Sequence, residues 1–122
     1  MTRPEAVRRV KSYSSATGYV YQYYFYEVNK VRRGLTPWTE YVYMVSKDRK
    51  HVFPVKILVH HDAAEKWGRA AGRTLSGTEE YAVAKMRLFQ ALDERQTPAA
   101  MGEPVRVRPA DIQAILATLN ID

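Results

Sequence analysis

The sequence predicts an α+β domain: an antiparallel meander of three to four strands in its first half, with two to three helices from its second half packed on one face. Three observations carry this. Positions 19–28 read Tyr-Val-Tyr-Gln-Tyr-Tyr-Phe-Tyr-Glu-Val, dense in aromatic and β-branched residues that suit a pleated surface. Phe53, Val55, Ile57 and Val59 then alternate onto one face, the period of a strand. Beyond Asp62 the apolar spacing becomes helical and two helix-start signatures occur.

Taken in order, residues 1–6 read as a loose terminus, and Val7 to Tyr13 reads equally as a short strand or a helical turn. Ser14 to Gly18 is a turn cluster. Tyr19 to Val31 is the strongest strand, broken by Arg32-Arg33-Gly34-Leu35-Thr36-Pro37. Trp38 to Ser46 is the next strand, Lys47 to Lys50 a polar turn, and His51 to His60 the last of the meander. Pro54 has no N–H to donate, which places that strand at an edge or at a bulge. Asp62 and Glu65 predict a capping box for a helix ending at Gly72. Ser76 and Glu79 repeat the signature for a helix reaching Glu94, whose inner face carries Tyr81, Ala84, Leu88, Phe89 and Leu92, interrupted by a snorkelling Lys85. Arg95 to Glu103 is a loop and Pro104 to Val107 a short strand. Pro109 suits the first turn of a last helix with Ile112, Ile115, Leu116 and Leu119 on one side.

The 122 residues suit a single domain over 1–122, and a 46% hydrophobic content fills a core without staples. Absence of cysteine excludes disulfides, Cys-based zinc sites and thiol catalysis. No secretory signal is read at the N-terminus, and no run approaches the roughly 18 to 20 apolar residues of a membrane helix. The chain is therefore expected to be cytoplasmic, with no membrane partner and no cofactor. Its net charge of +6 is unevenly spread: residues 1–60 carry 11 Lys and Arg against 4 Asp and Glu, residues 61–122 carry 8 against 9. A basic half attracts anionic partners, nucleic acid or acidic protein, although net charge serves solubility equally.

In the tyrosine-rich strand, Tyr19, Tyr21, Tyr23 and Phe25 point one way, and Val20, Tyr24, Tyr26 and Val28 the other. Helices on one side leave the other bare, and a bare aromatic patch marks an interface. The expected contact set is Tyr13, Tyr19, Tyr21, Tyr23 and Phe25, the expected partner a second copy. Pairing through the Ser14–Gly18 turn sets Tyr13 opposite Tyr19, Lys11 opposite Tyr21 and Arg9 opposite Tyr23, giving cations interleaved with rings. That pattern suits single-stranded nucleic acid, with Lys30, Arg32 and Arg33 extending it. A second basic cluster, Lys47, Arg49 and Lys50, lies roughly 25 Å away at the other end of the neighbouring strand. A helix-turn-helix is disfavoured because Glu79 and Glu80 would meet phosphate.

Chemistry finds little footing. There is no phosphate loop and no nucleophile elbow. His51 and His60 sit roughly 30 Å apart along one strand, while His60 and His61 face opposite sides. His61 and Asp62 form the one acid–base candidate, and it predicts a concave pocket holding a histidine beside a second titratable group. Trp38 and Trp67 read as packing anchors. The expectation is a non-enzymatic, self-associating interaction module. Nucleic-acid binding stands second, and a small enzyme or ligand-binding domain near His60 and His61 third.

Overall fold

The computed structural model describes residues 9–94 and 102–119. In chain order it contains β1 (Lys11–Ser14), β2 (Val20–Arg33), β3 (Thr36–Ser46), β4 (Val52–His60), α1 (His61–Ala71), α2 (Gly77–Glu94), β5 (Val105–Val107) and α3 (Pro109–Thr118). The class is α+β, with one mixed sheet in the order β1-β2-β3-β4-β5 and the helices drawn from the C-terminal half. The first four strands form an antiparallel meander; β5 returns parallel to β4, making the short 104–107 strand a fifth member. The expected loose terminus over 1–6 and most of the expected 95–103 loop lie outside the described residues.

Local chemistry explains the elements. β2 and β3 are joined by Gly34-Leu35 alone, with Gly34 at φ 65 in the first turn position, so the break expected over 32–37 shrinks to two residues. Pro54 pairs with Met44 beyond the stretch where β5 joins β4, so its missing N–H falls where the strand is locally an edge. Ser76 and Glu79 make the expected reciprocal cap: the Glu79 N–H donates to Ser76 Oγ at 3.1 Å and the Ser76 N–H to Glu79 Oε1 at 2.9 Å. Gly72 ends α1 at φ 77. The start of α1 corrects the expected Asp62 cap. His60 is the N-cap, its Nδ1 accepting from the Asp62 N–H at 2.9 Å, and Asp62 lies in the first turn.

The sheet face toward the helices carries Tyr21, Tyr23, Tyr43, Val45, Val55, Ile57, Val59, Val105 and Val107, packed against Val83, Ala84, Leu88, Leu92 and Ile112. The β1–β2 register is Tyr13 with Tyr21 and Lys11 with Tyr23, two residues from the expected pairing. A two-residue slip keeps parity, so the face assignment survives. The covered face is nevertheless the one expected to be open. Tyr21 and Tyr23 are 1% and 5% exposed, Tyr13 stacks on Phe89 at 4.2 Å, and Phe25 meets Tyr81 edge-on at 5.4 Å. These rings are the domain's own core, where each such pair contributes about 0.5–1.5 kcal/mol beyond area burial.

Candidate functional site

A single irregularity in β2 organises what surrounds the core. Phe25 pairs with Tyr43 but Glu27 pairs with Val42, so Tyr26 is an extra, bulged residue. A bulge reverses the alternation beyond it. Unbroken, the helix side would continue from Phe25 through Glu27, Asn29, Val31 and Arg33. With the bulge, Val28, Lys30 and Arg32 take that side, opposite Tyr41, Thr39 and Pro37. Arg32 and Arg33, adjacent in the strand, lie on opposite faces, and the bulge decides that Arg32 takes the helix side.

Two open concavities, one on each side of His61, lie along the outer row of α1 and at the far end of the β2–β3 hairpin. The larger, about 630 Å³, runs along His61, Ala64, Glu65, Gly68 and Arg69, then meets Arg73, Thr74, Leu75 and Glu80. The smaller, about 200 Å³, is lined by Lys30, Val31, Arg32, Pro37, Trp38, Thr39 and His61. His61 is common to both. Its Nε2 lies 2.9 Å from Glu65 Oε1, and Lys30 Nζ donates to Thr39 Oγ1 at 2.9 Å. Tyr41 donates to Glu80 Oε1 at 2.7 Å; burial first, and this carboxylate second, push its phenol well above the ordinary range. Arg73 grips Glu79 through two bonds of 2.7 and 2.6 Å, which with the Ser76 N–H hold that carboxyl down at about 2. His61 thus stands beside the Glu65 carboxylate in a concave part of the surface. Asp62, the partner expected for His61, instead stands 4.0 Å from His60. Among the described residues no group of three or more His, Asp or Glu is placed to hold a metal ion.

His60, the last residue of β4, points to the other side of the sheet, where it packs on Trp38. There its ring meets Trp38 at 4.4 Å and Arg106 lies 5.8 Å from the same indole. Among the described residues no helix lies over this sheet face, which divides in two. Toward β5, Glu40 and Arg106 flank a buried Leu58, Lys56 pairs with Val42, and Asn29 donates to Glu40 at 3.3 Å. Toward β1, Val10, Ser12, Gln22, Tyr24, Met44, Ser46, Arg49 and Val52 line a groove of about 390 Å³. Val10, Val20 and Val52 are 63%, 48% and 51% exposed on or beside it.

The expected nucleic-acid set does not assemble as one open surface. Tyr21 and Tyr23 lie beneath α2, unable to stack on bases, while exposed Arg9 and Lys11 lie at the β1 end. Lys30, Arg32 and Arg33 sit roughly 17–33 Å farther along β2. Lys85, expected to snorkel, sits 6.0 Å over the Tyr23 ring; burial, then the adjacent Lys11, hold it below the usual lysine value. Of the expected interface set, Tyr13, Tyr21, Tyr23 and Phe25 pack inward, and Tyr19 carries Lys47 at 3.6 Å over its exposed ring. Trp67 is a buried anchor as expected, and Trp38 is half-buried.

Sequence reasoning missed Thr39, Tyr41, Arg69, Arg73 and Glu80. The row His61, Ala64, Glu65, Gly68, Arg69 falls at i, i+3, i+4, i+7, i+8, a second face of α1 that spacing alone displays. Comparisons with protein-family models, with curated proteins and with solved structures find no match to this chain.

Proposed function

We propose that this protein is an interaction module that self-associates through the sheet face its helices leave uncovered. The observation carrying this reading is the cluster of exposed Val10, Val20 and Val52 around the groove floored by Tyr24 and Met44. Apolar side chains gathered on one open face favour removal from water by about 25 cal/mol per Å². Charge selects the partner. A chain of net charge +6 repels its copy, so self-contact favours a neutral area, and among the described residues Arg49 is the one charged residue lining this groove. The expected contact row thus moves from Tyr21 and Tyr23 to the opposite row of the same strand, Val20 and Tyr24.

Light scattering across a concentration series tests it. The wild type is expected to exceed the 14.1 kDa of one chain, and Val20→Asp with Val52→Asp to return it to that mass. A wild type that stays monomeric at high concentration overturns the reading. No helix among the described residues is long and apolar enough to cross a membrane.

A further inference from the structure

We propose that the pocket at Lys30, Arg32, Thr39 and His61 binds the phosphate group of a small phosphomonoester, whose organic part lies in the groove along α1. The pocket is on the helix side of the sheet, away from the self-association face, so either proposal can hold without the other.

Among the described residues the lining supplies two permanent cations, a histidine and no carboxylate. The Tyr26 bulge turns Lys30 and Arg32 to the helix side, where unbroken alternation would have sent Glu27, Asn29, Val31 and Arg33. Bulges re-aim side chains in this way next to functional sites. Lys30 donates to the oxygen of Thr39, so the hydroxyl proton of Thr39 is left to donate outward. Glu65 holds His61 through Nε2, fixing the ring at the junction of the two cavities. An arginine fork, an ammonium and a hydroxyl are the donors a tetrahedral oxyanion takes.

The volume sets the size of the ligand. About 200 Å³ accommodates a phosphate group but no nucleobase beside it. The adjoining 630 Å³ is lined by Glu65 and Glu80 as acceptors, by Arg69 and Arg73, and by Ala64, Gly68 and Leu75 as apolar floor. Tyr41 bonds one oxygen of Glu80, leaving the other to accept from the ligand. A ligand body bearing hydroxyl or amino donors fits those acceptors.

The test is a two-dimensional NMR titration with inorganic phosphate, repeated with chloride at matched ionic strength. Saturable shifts confined to amides near Lys30, Thr39 and His61, absent with chloride, are expected. Lys30→Gln with Arg32→Gln changes two exposed side chains and is expected to weaken the phosphate response about tenfold. Lys56→Gln, on the opposite face, is expected to leave it unchanged. Equal responses to chloride and phosphate, or equal loss in the Lys56 variant, overturn the proposal. A single-stranded oligonucleotide lacking a terminal phosphate forms the last arm. Salt-sensitive binding of that oligonucleotide without any phosphate response overturns the pocket in favour of a nucleic-acid surface.

Discussion

The phenol of Tyr13 donates to both carboxylate oxygens of Asp93, at 2.9 and 2.8 Å, across 80 positions of chain. The Ala16 N–H donates to the same carboxylate at 2.8 Å. Asp93 stands near the C-terminus of α2, where the helix dipole disfavours an acid. Its position is explained by this clamp, which ties the β1–β2 turn to the helix covering the sheet.

Asp93→Asn removes the charge from both bonds and is expected to cost about 1–3 kcal/mol in urea-induced unfolding. Tyr13→Phe keeps the stack on Phe89 and isolates the hydroxyl. A double-mutant cycle of the two is expected to return a clear coupling, and strict additivity would show the clamp to be idle.

The same bond sets an alkaline limit. Burial, then the Asp93 carboxylate, raise Tyr13 from the ordinary 10.0 to about 12. A raised phenol pKa means that the folded state favours the neutral form. That contribution is complete below pH 10.0 and is lost as pH rises toward about 12. Stability measured through this window is expected to fall less steeply in Tyr13→Phe than in the wild type.

Glu79 sets an acid limit of opposite sign. Its pKa falls from 4.5 to about 2 through Arg73 and the Ser76 N–H. The contribution is therefore present above pH 4.5 and is lost as pH drops to about 2. Glu79→Gln is expected to flatten the stability profile across that interval, with little further change toward neutrality in its slope.

Two neighbouring tyrosines are expected to respond differently to loss of the hydroxyl. Tyr41→Phe breaks the 2.7 Å bond to Glu80 and leaves that carboxylate short of a donor, costing about 1–2 kcal/mol. Tyr43 Oη is fully buried and, among the described residues, makes no hydrogen bond of ordinary geometry, its nearest polar neighbour being the Tyr81 phenol, so Tyr43→Phe is expected to be neutral or stabilising by up to about 1 kcal/mol. Thermal unfolding of the two variants side by side decides it, and equal losses would contradict the assignment.

Gly68 is held by a backbone approach. A Cβ there would stand 2.9 Å from the Arg73 carbonyl oxygen, which the turn cannot yield without moving its own backbone. Gly68→Ala is expected to destabilise by about 1–3 kcal/mol, despite the helix propensity of alanine, as read by denaturant midpoint.

Much of this architecture is legible in local chemistry. Ser76 and Glu79 announce a helix start because cap bonds span three residues; Gly72 ends another because only its left-handed φ closes the turn there. Alternation separates Tyr21 and Tyr23 from Val20 and Tyr24, whatever the register. Those bonds and dihedrals involve neighbours in the chain, so neighbours suffice to predict them.

Distance in the chain hides the rest. Both rows of residues 19–26 are aromatic, so nothing local says which row α2 covers; packing of Tyr13 on Phe89 and of Phe25 on Tyr81 chooses it. The bulge at Tyr26 has no signature of its own, since Tyr-Phe-Tyr suits a strand in either register. Its consequence, Lys30 and Arg32 beside His61, exists only once β3 has fixed the pairing. Backbone periodicity thus divides residues into faces, while the contents of each face and the concavities beside His61 arise from contacts that close long loops.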